Sequence, residues 1–487
     1  MKKHYGLSMK LATLVFASLG LFLFATVAGA TEIKASGWVG TKTHLSSTKT
    51  TGTGQFYPTK DLATTNFTEM RGRLQFELIA SEVAGAVWHN EIDYNFGGQA
   101  YQTGRNLGGG LGSDNTNLET KQLYLYFKVP SLNLKATAGV NWITDDFDWV
   151  VIGNDAAGFQ FDYATSATKA KLGAYRFWEP NIKAVTNNVD LYMLSGSQQL
   201  SPAAKIGVAG YWLKDGTGAD GNGLLSQGVT NANGFANLGN NAATGNKALI
   251  PLGAKYDLNS YFAGIFGDVA IGPMKLEAWG VYNFGKVDVQ GKDSIDIKGF
   301  AADVRASAKA GPVALSVDGL YVSGSDKDAD KQFGFTNSGL YSVASNFNFR
   351  QGMMILLNDG NDWTYSSAYA YNVSNIYEDR FLGVTGLFGN VRFPLPGNFS
   401  GKVGLGTMWS AEKRAVNGNS HMGTEVNATL NYDINKNTTI SLNAAYAFTG
   451  DFYKVSAAQA AASTKGVKAN TDPDDVFYPT LVFKVAF

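Results

Sequence analysis

The 487-residue chain has no cysteine, four histidines, eleven prolines and only 16% charged side chains, with acidic and basic groups equal in number. Without cysteine there is no disulfide framework, thiolate zinc site, iron–sulfur cluster, cysteine nucleophile or covalent haem attachment. Without a basic excess there is no positive face to displace counterions, so no nucleic-acid partner is expected. His4, His44, His89 and His421 are scattered without metal-ligand spacing, and no Ser-His-Asp set can be assembled from them. The glycine cluster Gly108 to Gly112 sits in a polar stretch with no phosphate-cradling motif, and Gly401-Lys402 runs into Val403 rather than Ser or Thr. Neither an enzyme nor a cofactor is expected. Beyond Thr31 no apolar run is long enough to cross a bilayer as a helix. A soluble exported protein and a transmembrane β-barrel remain.

What is present favours the barrel. Residues 1–30 carry Lys2, Lys3 and Lys10, then an apolar run from Leu11 to Val27, then Ala28-Gly29-Ala30. Basic start, apolar middle and small-residue end are the marks of a cleaved signal peptide. Its removal leaves residues 31–487 as a faintly acidic mature chain. That segment shows period-2 alternation, as a strand between lipid and a wet lumen requires. Met70, Gly72, Leu74, Phe76 and Leu78 share one face, with Arg71, Arg73, Gln75 and Glu77 on the other; Trp88, Ile92, Tyr94 and Phe96 oppose His89, Glu91, Asp93 and Asn95.

Connections carry the next step. Eight short turns rich in Gly, Pro, Asn or Ser begin at Ser81, Pro130, Ala164, Gln199, Ile271, Ala310, Pro394 and Asp433. They alternate with nine longer polar stretches, among them 46–65, 97–117, 145–155, 215–253, 325–380 and 451–475. Short turns on one side and long loops on the other predict an all-β, transmembrane antiparallel up-and-down β-barrel of about 18 strands, with short periplasmic turns and long extracellular loops. About 16 is the alternative, because 325–380 is long enough to conceal a differently read hairpin. Length alone suggests about three domains, but a barrel of this size uses residues 31–487 as one. The chain ends Leu481-Val482-Phe483-Lys484-Val485-Ala486-Phe487, with the terminal Phe on the apolar face. Such an ending resembles the signal by which the barrel-assembly machinery recognises outer-membrane proteins, which places the chain in the outer membrane of a Gram-negative bacterium.

The residues expected to line the pore are Arg71, Arg73, Glu77, His89, Glu91, Asp93, Lys135, Asp303, Arg305 and Asp318, joined by Lys169, Lys171, Arg392 and Lys402. Basic and acidic walls facing each other set up a transverse field that sorts solutes by charge. Arg71 and Arg73, two positions apart on one wall, repel unless something acidic visits. Asp326, Asp328 and Asp330 begin like a calcium loop, but Lys331 replaces the required Gly; with Asp472, Asp474 and Asp475 they are read as solvated loops, or as weak divalent contacts to lipopolysaccharide. Phe147, Trp149 and Val150 lie among Asp145, Asp146, Asp148 and Asp155. So much apolar surface in a polar loop predicts that it folds inward or packs on a neighbour.

The string Phe67 to Phe76, the partner Glu91-Ile92-Asp93-Tyr94, Leu111-Gly112-Ser113-Asp114, Lys121 to Phe127, and Gly352 to Asp359 together resemble the outer-membrane homotrimeric porins of sulfate- and metal-reducing bacteria. That resemblance implies a homotrimer embedded in outer-membrane lipid and lipopolysaccharide, serving as a general diffusion porin for ions and small hydrophilic solutes. Two other functions fit the same barrel. One is the sheath of a porin–cytochrome electron conduit, with the haem in a separate protein; the other is a substrate-selective channel for sugars or organic acids.

Overall fold

A computed structural model describes residues 32–47, 64–98, 108–112, 116–179, 187–220, 250, 253–325, 332–336, 352–357, 382–414, 417–454 and 468–487. The signal peptide, the Asp326-Asp328-Asp330 triplet and most of the 215–253 stretch lie outside the described residues.

The strands in chain order are β1 (Glu32–Ser46), β2 (Thr65–Ser81), β3 (Ala84–Asn95), β4 (Leu118–Val129), β5 (Leu134–Thr144), β6 (Gly153–Ala164), β7 (Thr168–Trp178), β8 (Val189–Ser201), β9 (Ala204–Asp215), β10 (Tyr256–Ile271), β11 (Met274–Val289), β12 (Ile295–Ala310), β13 (Val313–Val322), β14 (Gln332–Phe333), β15 (Val384–Pro394), β16 (Phe399–Trp409), β17 (His421–Asn435), β18 (Thr438–Thr449), β19 (Val476–Phe477) and β20 (Thr480–Ala486). Setting aside the two-residue β14 and β19, eighteen strands pair antiparallel in sequence. β13 bonds β15, β18 bonds β20, and β20 returns to β1 from Trp38↔Ala486 to His44↔Thr480, which closes the sheet. Closure removes every open edge, the condition for a sheet to stand in lipid. The eighteen-strand count therefore holds and the sixteen-strand alternative falls. The described residues of the 325–380 stretch include β14, a short parallel addition to β12, and the wall closes through β13 and β15 directly.

All eight short turns join neighbouring strands. Two of them, Gly272-Pro273 and Gly311-Pro312, start with a glycine at φ +59, the positive φ that tight hairpins require. Alternation then sorts the side chains. Leu125, Leu172, Leu194, Val208, Ile265, Val304, Leu387, Leu405, Leu442 and Leu481 point outward and are exposed, as a lipid face demands. Outward aromatics stack around the loop-side rim of β8 to β11: Tyr192 on Trp212 at 5.1 Å, Trp212 on Tyr261 at 5.9 Å, and Tyr261 on Phe284 at 5.5 Å between ring centres. The amphipathic Tyr and Trp rings among them suit the headgroup level.

The core lies inside the barrel. Phe147, Val150, Val151, Ile152, Phe335 and Met353 to Leu357, all from loops, join the inner faces of β7 to β13 and β15 to β18 in one buried apolar cluster. The expectation that the 145–155 loop folds inward is met.

Candidate functional site

Two loops narrow the lumen. The first leaves the end of β5 and carries Phe147 to the inner wall formed by β9 to β11, four to six strands away. There its ring meets Tyr211 on β9 at 6.0 Å, Phe266 on β10 at 6.1 Å and Trp279 on β11 at 6.0 Å. Offset and edge-on contacts of this kind add to the burial of the ring. Glycine makes the seat: a Cβ at Gly264 would stand 2.6 Å from the Phe147 ring. The loop tip is also tied by polar groups, with Trp279 Nε1 donating to Asp148 at 3.1 Å and Tyr211 donating to Asp146 at 3.2 Å. Burial raises the Asp145 carboxyl above its ordinary value, while four backbone amides favour its charged form.

The second loop brings Met353 to Leu357 onto β15 to β17. Met353 occupies space that a Cβ at Gly406 would approach to 2.6 Å of its sulfur, and Asn427 Nδ2 donates to the Gly352 carbonyl at 2.9 Å. A smaller segment follows the same route, where Phe335 packs edge-on against Phe262 at 5.8 Å and Thr336 binds Asn283.

The ten expected lining residues all take inward register positions, in three separate groups. On β2 and β3 the register sets Arg71 opposite Asp93 and Arg73 opposite Glu91. Arg71 donates to Asp93 at 2.7 Å and stands 3.4 Å from Glu91, while Arg73 Nε reaches Glu91 at 2.5 Å and its guanidinium lies 5.8 Å from the Trp38 ring centre. His89 sits between Gln75 and Gln122 in the same rows. Nearer the periplasmic turns, Tyr126 donates to Glu77 at 2.7 Å and lies beneath Lys135 at 5.4 Å. Across the barrel, Arg305 pairs with Asp318, and Asp303 is buried nearby on the same strand.

This arrangement corrects two expectations. Arg71 and Arg73 are not a bare repelling pair awaiting an acidic visitor, because antiparallel register delivers Asp93 and Glu91 to them. Nor are charges cleanly segregated into one basic and one acidic wall: Lys121 on β4 reaches past β5 to Asp155 on β6 at 2.8 Å, and Lys205 pairs with Asp268 on the next strand at 2.9 Å, while the register also sets Lys135 opposite Lys128 and Arg392 opposite Lys402. Asp472 and Asp475 of the acidic C-terminal loop have partners among the described residues. Asp475 accepts from Tyr446 and Thr449, and Lys454 stands 3.4 Å from Asp472. Reading the sequence alone missed Met353 to Leu357, Glu425, Gly264 and Gly406 as parts of the constriction. An apolar run in a polar loop was the available signal.

Eighteen antiparallel strands closed on themselves, apolar outside, charged inside and narrowed by their own loops, define the outer-membrane porin fold. No protein-family model and no curated protein matches the sequence. Among solved structures, Pseudomonas aeruginosa OccK1 (OpdK) aligns over 93% of this chain and 99% of its own, with TM-score 0.50 and 11% identity. A BenF-like porin from Pseudomonas fluorescens Pf-5 aligns over 94% of this chain and 98% of its own, with TM-score 0.49 and 10% identity. At this identity the likeness to OccK1 bears on the fold alone.

Proposed function

We propose that the protein is an outer-membrane channel through which small hydrophilic solutes pass passively, and that its inward loops make it substrate-selective rather than a general sieve. The seating of Phe147 on the inner wall of β9 to β11 carries this reading. An 18-strand barrel encloses an aqueous channel when empty, and loops folded into it leave a smaller passage lined by both apolar and charged side chains. A narrow passage of mixed lining admits solutes by fit and polarity instead of size alone. The same loops weigh against the sheath of an electron conduit, because they occupy the space a cytochrome needs.

Planar-bilayer recording of the purified protein tests the reading. Discrete conductance steps are expected, in triplets if the trimer implied by the family resemblance forms. Liposome swelling should separate solutes of equal size but different polarity. Absence of any conductance would favour the sheath instead, and swelling rates that follow size alone would restore the general diffusion porin.

A further inference from the structure

A chain that leaves the barrel rim and enters the lumen must satisfy its backbone N–H groups without a strand partner. Both constriction loops do so on one buried carboxylate each. In the first, Asp145 Oδ1 accepts from the amides of Phe147 at 2.7 Å and Trp149 at 2.9 Å, while Oδ2 accepts from Val151 at 2.5 Å and Ile152 at 2.8 Å. In the second, Glu425 on β17 accepts from Met354 at 2.7 Å through Oε1, and from Ile355 and Leu356, each at 2.8 Å, through Oε2. Asn427 Nδ2 adds a further bond to Glu425 Oε1 at 2.7 Å. Each loop also has its glycine seat, Gly264 or Gly406. The first loop further holds Asp148 and Trp149 in succession at φ +55 and +67, a left-handed conformation that non-glycine residues adopt only where the surroundings impose it.

Two unrelated loops thus share one device: an acceptor-only group at the centre of a curl of amides. Apolar packing alone does not specify such a curl, since side chains can be buried with the backbone wound otherwise. We propose that Asp145 and Glu425 are the positioning residues that hold the two loops inside the lumen and thereby set the channel's effective width. The inference rests on reading the protein as a channel, and the two can fail separately.

Asp145→Asn and Glu425→Gln keep size and shape but turn one oxygen into a donor facing amide donors. Each variant is expected to raise mean single-channel conductance at least twofold and to make the current noisier, while heat-resistant migration of the folded barrel in detergent stays as in the parent protein. Asp145→Glu, which keeps the carboxylate, should recover part of the original conductance. Because the chain lacks cysteine, a single Val150→Cys reporter gives a second reading. This buried position should resist an impermeant maleimide in the parent background and label at least tenfold faster beside Asp145→Asn. Parent-like conductance and labelling in the variants would overturn the inference while leaving the channel reading intact. So would failure of both variants to insert, which would make the carboxylates barrel-forming groups rather than loop positioners. A parent protein without conductance would instead overturn the channel reading.

Discussion

Arg71 is 2% exposed and lies within ion-pair distance of both Asp93 and Glu91. Removing one member of a buried charge cluster costs more than the net worth of the pair, because the partners stay desolvated without compensation; about 3–5 kcal/mol is typical. Arg71→Ala should therefore lower the unfolding midpoint of the purified barrel markedly. Arg73, whose side chain is 17% exposed and rests on Trp38, can be replaced from solvent more readily. Its Ala variant should cost less than half as much. Urea unfolding followed by tryptophan fluorescence measures both, and equal shifts would show that burial does not separate the two arginines. Charge reversal at Arg71 would gather three acids in one buried site, so it is expected to report on folding before it reports on ion selectivity.

Barrel closure depends on the seven-residue β20. Its pairing with β1 is extended by Gly37 and Phe487, which exchange two backbone bonds of 2.9 Å each, and Lys484 lies 4.2 Å from the Trp38 ring centre. At the loop end of the seam, His44 joins Tyr478 at 2.8 Å to Glu69 at 2.7 Å and stacks on Phe67 at 4.3 Å. Deleting Phe487 removes two closing bonds and an outward aromatic, so the folded fraction recovered from outer membranes should fall several-fold. His44→Ala should leave assembly intact yet lower the temperature at which the folded form is lost in detergent; unchanged behaviour in both variants would move the seam's stability elsewhere. These elements also show where sequence is informative. Strand number, turn positions and the outward face of β2, β3, β12 and β18 follow from period-2 alternation and from Gly, Pro and Asn at turns, because those signals are local. The contact of Phe147 with Gly264 and of Met354 with Glu425 joins residues brought together only by closure, and no local spacing encodes it. The apolar character of 147–150 announced burial without naming the wall that receives it.

At several places among the described residues, inner charges meet opposite charges on the adjacent strand, as in Arg71–Asp93, Lys205–Asp268 and Arg305–Asp318. Closely paired charges produce fields that fall off faster than those of separated walls, and at 0.1 M salt anything beyond about 10 Å is screened. The apolar loops further withdraw much of the inner wall from permeating ions. In a KCl gradient the reversal potential is therefore expected within about 10 mV of zero, since charges paired in this way focus neither ion. Unpairing one site breaks that balance. Arg305→Gln leaves Asp318 without its guanidinium partner beside Asp303 and should draw the reversal potential toward the potassium limit, whereas Lys309→Gln, an exposed position near the periplasmic turn, should not. A strongly anion-selective parent would contradict local pairing as the rule of this lumen and point instead to uncompensated lysines along the solute path.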